Sequence, residues 1–192
     1  QSQCTFNVVV TDGADPTIAC AAAPASVEAT GVVGGVGGAT VSWTLATQAT
    51  ATDDGDEALT ITYSPASGTH FQKGTTTVTA TAVDDDNNDD TCTFVVTVTD
   101  VSGPTVVCPA APASVEATGI AGGFGGATVN YAVATASDLG DPAAQTITYS
   151  KATGTHFNTG TTVVTVTAKD VFDNQSQCTF NVVVTDGADP TI

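Results

Sequence analysis

The sequence predicts an all-β protein made of tandem sandwich modules, about seven strands each, placed end to end. Three observations carry this. Glycine, threonine, valine and alanine dominate the 192 residues, and arginine and methionine are absent, a vocabulary suited to strands and turns rather than helices. Residues 1–18 and 175–192 are both QSQCTFNVVVTDGADPTI, which defines a long internal period. Short runs of alternating apolar and polar residues recur between Gly, Pro, Asp and Asn turns, as strands with one buried face require.

The identity of the two ends sets a period of 174 residues, so the chain is expected to be one period plus an overlap, cut from a longer array. A weaker repeat lies inside it. DPTIACAAAPASVEATG (15–31) aligns with GPTVVCPAAPASVEATG (103–119), and GTHFQKGTTTVTATAVD (68–84) with GTHFNTGTTVVTVTAKD (154–170). The expected organisation is therefore the final strand and linker of an upstream module (1–14), two whole modules (15–102 and 103–188), and the start of another (189–192).

In the first module the runs centre on Ile18–Cys20, Val27–Ala29, Val41–Leu45, Leu59–Tyr63, His70–Phe71, Thr76–Ala82 and Cys92–Thr99. The last is the clearest. Cys92, Phe94, Val96 and Val98 fall on one face of a pleated strand, and Thr93, Thr97 and Thr99 on the other. Trp43, aligned with Tyr131, is the expected large residue at the centre of the core. The glycine-rich stretches Gly31–Gly38 and Gly119–Gly126 lack the G-K-[ST] of a phosphate loop and read as flexible or tight backbone between two strands.

These residues also resemble a known family. G-T-H-F-x-x-G-T-T-x-V-T-x-T-A-x-D, an Asn, then C-T-F-x-V-x-V-T-D, together with P-T-I-A-C and P-T-V-V-C, are similar to the hyalin repeat (HYR) module. The resemblance covers both modules and implies an immunoglobulin-like fold, an extracellular setting, tandem arrangement and no catalytic residues. The chain departs from the family in the acidity of Asp84–Asp90 and in lacking a proline after the Trp43 strand.

Five cysteines, Cys4, Cys20, Cys92, Cys108 and Cys178, allow two pairings that respect the repeat. Joining Cys4 to Cys20 would bridge an extended segment of about 50 Å, far beyond the ~7 Å a disulfide spans. In an immunoglobulin-like sandwich the first and last strands are expected to run parallel and adjacent. Cys20 shares the inward face of Ile18, and Cys92 that of Phe94. The expected bridges are Cys20–Cys92 and Cys108–Cys178, with Cys4 bonded to an upstream module. Such bonds belong to an oxidising, extracytoplasmic compartment.

A net charge of −17 with only Lys73, Lys151 and Lys169 as basic residues removes the phosphate-neutralising term of nucleic-acid binding. No apolar run reaches the roughly 18 residues of a membrane helix. Catalysis is not expected either: His70 and His156 are repeat equivalents, each in G-T-H-F with no nucleophile at a recognisable spacing. Asn174 opens a glycosylation sequon in form. The carboxylates cluster in loops and junctions, and hard oxygen ligands on loops suit Ca²⁺. The expected ligands are Asp84, Asp86, Asn88 and Asp90 in the first module and Asp170 and Asn174 in the second. Asp12, Asp15, Asp100, Asp186 and Asp189 are expected at the junctions. Asp53, Asp54, Asp138 and Asp141 are further loop carboxylates outside this set. A solvated acidic surface is the alternative. The resulting expectation is a structural unit in the shaft of an extracellular filament or large cell-surface adhesin. Its partners are neighbouring copies of the repeat, with surface glycans or proteins as targets in an alternative, multivalent adhesion reading.

Overall fold

The computed structural model describes residues 1–9, 13–44, 48–54 and 59–187. The chain divides into two compact units, Gln1–Val27 with Gly38–Thr99, and Glu28–Gly37 with Asp100–Ile192. The first module contributes β1 (Thr17–Cys20), β2 (Val27–Glu28), β3 (Gly31–Val33), β4 (Val36–Val41), β5 (Ala49–Thr52), β6 (Thr60–Ser64), β7 (Thr69–Gln72), β8 (Gly74–Val83) and β9 (Asp89–Thr99). The second repeats the set as β10 (Thr105–Val107), β11 (Val115–Glu116), β12 (Gly119–Ala121), β13 (Phe124–Val129), β14 (Thr135–Ser137), β15 (Thr146–Tyr149), β16 (Thr155–Asn158), β17 (Gly160–Lys169) and β18 (Gln175–Thr185). Both are immunoglobulin-like β-sandwiches.

The second unit shows the plan completely. One sheet has the order β11–β18–β17–β15, facing β12–β13–β16, while β10 pairs with β14 alone. The long β17–β18 ladder runs from Gly160↔Val184 to Lys169↔Gln175. Its inward residues Val164, Val166, Ala168, Phe180, Val182 and Val184 are buried, as alternation requires. In the first unit β8 likewise pairs with β9 and β6, and β4 with β7. Val78, Ala80 and Ala82 are fully buried there, and Thr79 and Thr81 take the outer face.

Trp43 and Tyr131 are the aromatic centres. Trp43 packs edge-on against Tyr63, Phe71 and Phe94 at 5.8, 5.9 and 5.3 Å, and Tyr131 contacts Tyr149, Phe157 and Phe180. Cys20 is bonded to Cys92 and Cys108 to Cys178, with Cα separations of 5.7 and 5.8 Å. Cys4 is an exposed free thiol.

Three details differ from expectation. The parallel neighbour of the last strand in the second unit is the second strand, β11, with Val115 opposite Val184. Pro109 and Pro112 follow Cys108 and cannot donate to a ladder, so the chain leaves the β10 sheet there before joining β18. The glycine-rich stretch is itself a hairpin: Gly122 and Gly123, at φ 60° and 86°, form a two-residue turn between β12 and β13, for which the positive φ values suit glycine. Gly34 and Gly35 repeat it. A strand through Trp43 is also missing from positions 42–44 (position 45 lies outside the described residues). Instead Ser67 Oγ accepts from the Trp43 N–H and donates to its carbonyl, both at 2.9 Å. Thr153 does the same for Tyr131. A hydroxyl replaces the ladder partner, so the half-buried Trp43 and the buried Tyr131 pack inward without a strand around them.

Candidate metal centre

Three carboxylates converge at one end of the second unit. Asp100 precedes β10, Asp138 follows β14 and Asp170 follows β17, and one oxygen from each lies within 4.8 Å of the others. Asp138 and Asp170 each follow the end of a ladder, and Asp100 lies in the segment that leads into β10. At that spacing two unit charges repel by about 3 kcal/mol at an effective dielectric constant near 20, a cost that a divalent cation would reverse.

The surrounding hydrogen bonds hold the rim in place. The buried Asp141 accepts from the Ala143 and Val171 N–H groups, at 3.0 and 3.3 Å, tying the loop of Asp138 to that of Asp170. Asp138 accepts from Gly140 N–H at 2.7 Å. Asp170 accepts from the Phe172 and Asn174 N–H groups and from the Asn174 amide, at 2.8, 2.9 and 2.8 Å. That amide also donates to the Asp100 carbonyl at 3.2 Å, so the sequon residue ties the Asp170 loop to the Asp100 segment. Gly140 leaves space beside Asp100: a Cβ there would lie 2.9 Å from the Ala29 Cβ and 3.1 Å from Asp100 Oδ2.

Glu28 braces the segment after Asp100, accepting from the Val101 and Ser102 N–H groups at 2.9 and 3.0 Å. Desolvation works against its charge, but these hydrogen bonds outweigh it and hold the carboxyl below its ordinary value. Its repeat equivalent Glu116 accepts from Gly187 N–H at 2.6 Å and from the Thr185 hydroxyl at 2.8 Å. A cavity of about 180 Å³ adjoins the centre, lined by Glu28, Ala29, Ser102, Gly103, Asp138 and Leu139 among others.

The remaining expected ligands are distributed differently. Asp84 is buried and closes its own turn, accepting from the Asn88 N–H and amide, both at 2.7 Å. Asp90 accepts from the Ile18 and Thr91 N–H groups. Asp84, Asp86 and Asp90 do not form a converging group of the kind made by Asp100, Asp138 and Asp170 among the described residues. Asp15 lines an open depression of about 420 Å³ with Thr52, Asp53 and Asp54. Asp186 is exposed, and Asp12 and Asp189 lie outside the described residues. Sequence reasoning leaves Asp138 out of the ligand set. The available signal is its equivalence to Asp53, since Thr17 pairs with Thr52 as Thr105 pairs with Ser137. His70 and His156 lie on β7 and β16, each with a buried Nε2 against a glycine, Gly38 or Gly126. A side chain at either glycine would collide with the Phe71 or Phe157 carbonyl at 2.0 Å.

A family model of the HYR domain matches residues 11–98 and again 99–184. The chain belongs to the HYR domain family. Each match begins a few residues before the module expected from the sequence. Hyalin of Strongylocentrotus purpuratus is 35% identical over 152 residues, covering 76% of this chain and 12% of hyalin. The chain thus spans about an eighth of that relative. Among solved structures, Drosophila N-cadherin EC1-4 is similar at a TM-score of 0.40 and 16% identity, over 90% of this chain and 50% of that one. Mouse cadherin-23 EC22-24 is similar at 0.37 and 14%, over 88% and 66%.

Proposed function

We propose that this HYR chain is a structural repeat of the shaft of an extracellular filament or large cell-surface adhesin, stiffened by Ca²⁺. The observation that carries the reading is the repetition of disulfide-stapled modules at a fixed period, 1–18 recurring as 175–192. A spacer needs little more than copies that contact their neighbours and add length. The two disulfides support an oxidising compartment, and among the described residues no helix is long and apolar enough to cross a membrane. The role is mechanical, not enzymatic. With a net charge of −17 the chains repel one another, which favours a single file of modules over lateral bundles.

Calcium is assigned to Asp100, Asp138 and Asp170, with junction carboxylates such as Asp15 and Asp186 as further oxygen donors. An ion bound only in the ordered state adds RT ln(1 + [L]/Kd), about 2.7 kcal/mol at a hundredfold excess over Kd. The test is the melting temperature and end-to-end extension of the two-module chain in Ca²⁺, in chelator and in NaCl of equal ionic strength. A Ca²⁺-specific rise in both is expected. Equality of the Ca²⁺ and NaCl values would reduce the cluster to a solvated acidic surface.

A second reading, a carbohydrate- or protein-binding adhesion module acting through multivalency, is favoured by an aromatic-edged depression of about 510 Å³ lined by Trp43, Ile61, Tyr63 and Ser67 among others. Quenching of Trp43 fluorescence by a saccharide panel would select it.

A further inference from the structure

Exposed apolar side chains gather around the acidic rim of the second unit. Val101 follows Asp100, Leu139 follows Asp138, and Val171 and Phe172 follow Asp170. In that order they are 71%, 75%, 60% and 49% exposed. One oxygen from each of the three carboxylates lies within 4.8 Å of the others, so their chain neighbours are held around one small area. The Val171 N–H also donates to Asp141, two residues past Leu139, which keeps those two loops side by side. Scattered surface apolar residues need no explanation, but a group of them marks a contact surface.

The fold does not demand them. Aligned on the repeat, Val101 stands where the first module has Gly13 and Leu139 where it has Asp54. Val171 and Phe172 stand where it has Asp85 and Asp86. Both modules close the last of these turns with the same bond, Asn88 N–H to Asp84 and Asn174 N–H to Asp170, at 2.7 and 2.9 Å. The turn accepts charged residues at its tip, so the apolar ones of the second module serve something outside it.

We propose that this apolar rim is a lateral contact surface whose occupant is the same rim of a second copy, joined when Ca²⁺ is bound. Such pairing rests on the tandem array and on calcium at Asp100, Asp138 and Asp170. Spacing selects the partner. The rim occurs once in each period of 174 residues, so a second array presents it at matching intervals along its whole length. A stable complex buries about 800 Å² and roughly 20–30 residues on each side, far more than four side chains supply. One contact is therefore weak, and repetition along two arrays makes it strong. Charge sets the condition. At a net charge of −17 two bare rims repel each other, which keeps the modules in single file. A divalent ion among the three carboxylates cancels the charge at the centre of each rim and leaves the apolar side chains to meet.

The test displays many copies of the intact chain on beads, coupled through the exposed Cys4 thiol, which also prevents disulfide pairing between chains. The beads are expected to cluster in Ca²⁺ and to stay dispersed in chelator or in NaCl of equal ionic strength. Leu139→Ser with Val171→Ser should reduce clustering at least tenfold while keeping the Ca²⁺-dependent rise in melting temperature. Val101→Ser, outside both loops, is a second variant that should weaken clustering if the first does not fold. Ile120→Ser with Phe124→Ser, exposed on the β12–β13 hairpin, should leave clustering unchanged. Dispersed beads in Ca²⁺, with the melting temperature still raised by the ion, overturn the proposal and leave the calcium reading standing. Neither clustering nor a raised melting temperature overturns both. Clustering that the folded rim variants retain also overturns it, because bridged carboxylates alone then suffice. Capture of phosphatidylserine vesicles by beads that do not cluster would make the rim a lipid contact and overturn it too.

Discussion

Among the described residues, the denser carboxylates lie in the first unit and the converging ones in the second. Asp84, Asp85, Asp86, Asp89 and Asp90 crowd seven positions of the first module, while its counterpart loop carries Asp170 and Asp173. Yet among the described residues the oxygens that meet within 4.8 Å belong to Asp100, Asp138 and Asp170, far apart in sequence. The two turns are built alike: Asn88 caps Asp84 as Asn174 caps Asp170, and Asn87 and Asp173 both adopt φ 71°, so the difference lies in what faces each turn. Charge density in a loop is a local property. Convergence depends on how the ends of two ladders and the segment before β10 meet.

The cores differ too, at matched positions. Trp43 and Ala80 in the first module are replaced by Tyr131 and Val166 in the second, a smaller ring with a larger aliphatic side chain. Tyr131 adds what Trp43 cannot, a hydroxyl that donates to the Lys151 carbonyl. Burial raises the pKa of that phenol, consistent with a hydroxyl kept neutral as a donor.

The largest expected effect tests whether the two sandwiches are equally dependent on their staples. The bonds close 72 and 70 residues, so replacing both cysteines of either pair with serine should cost about 4 kcal/mol in the chain-entropy model. Calorimetry of the two variants should find equal losses. A clear inequality would show that one core holds its sheets together better without the bond.

Next comes the acidic rim. Asp138→Asn should abolish the Ca²⁺-dependent stabilisation, about 2.7 kcal/mol at a hundredfold excess of ion, and Asp86→Asn should leave it intact. In chelator the sign reverses: Asp138→Asn should raise the melting temperature, because one of three mutually repelling charges is gone. Thermal melts of both variants in Ca²⁺ and in chelator decide between dense and converging carboxylates.

The volume trade predicts a smaller effect. Ala80→Val should overpack the first module and cost about 1–3 kcal/mol. Combined with Trp43→Tyr the loss should be less than the sum of the two single variants, as coupled neighbours require. Additive losses in denaturant melts would mean that the two positions do not share space.

The smallest effect concerns Glu28. Its carboxyl is held below the ordinary value of 4.5, so its contribution is complete above that value and is lost as pH falls through the folded pKa. Exchange of the Val101 and Ser102 amides should therefore slow less on acidification than the base-catalysed intrinsic trend, a relative acceleration as their acceptor is protonated. Glu28→Gln should remove that relative acceleration, leaving a flat difference between the two amides and their neighbours.

The sequence by itself determined the repeat, the β class, the inward faces and which cysteines share them. These are periodic or local properties: pleating forces alternation on any strand, and an eighteen-residue identity survives any fold. The HYR resemblance followed from motifs of the same kind. The tertiary structure decided the rest. β11 became the neighbour of β18 because prolines interrupt the first strand, and the glycine stretch became a hairpin because Gly122 and Gly123 accept positive φ. Trp43 left the ladder because a serine hydroxyl could stand in for one. The meeting of Asp138 with Asp100 and Asp170 has no local signature, because it depends on the β10–β14 register and on Asp141 drawing two loops together. A sequence records how many charges a loop carries, but only packed sheets decide which of them face each other.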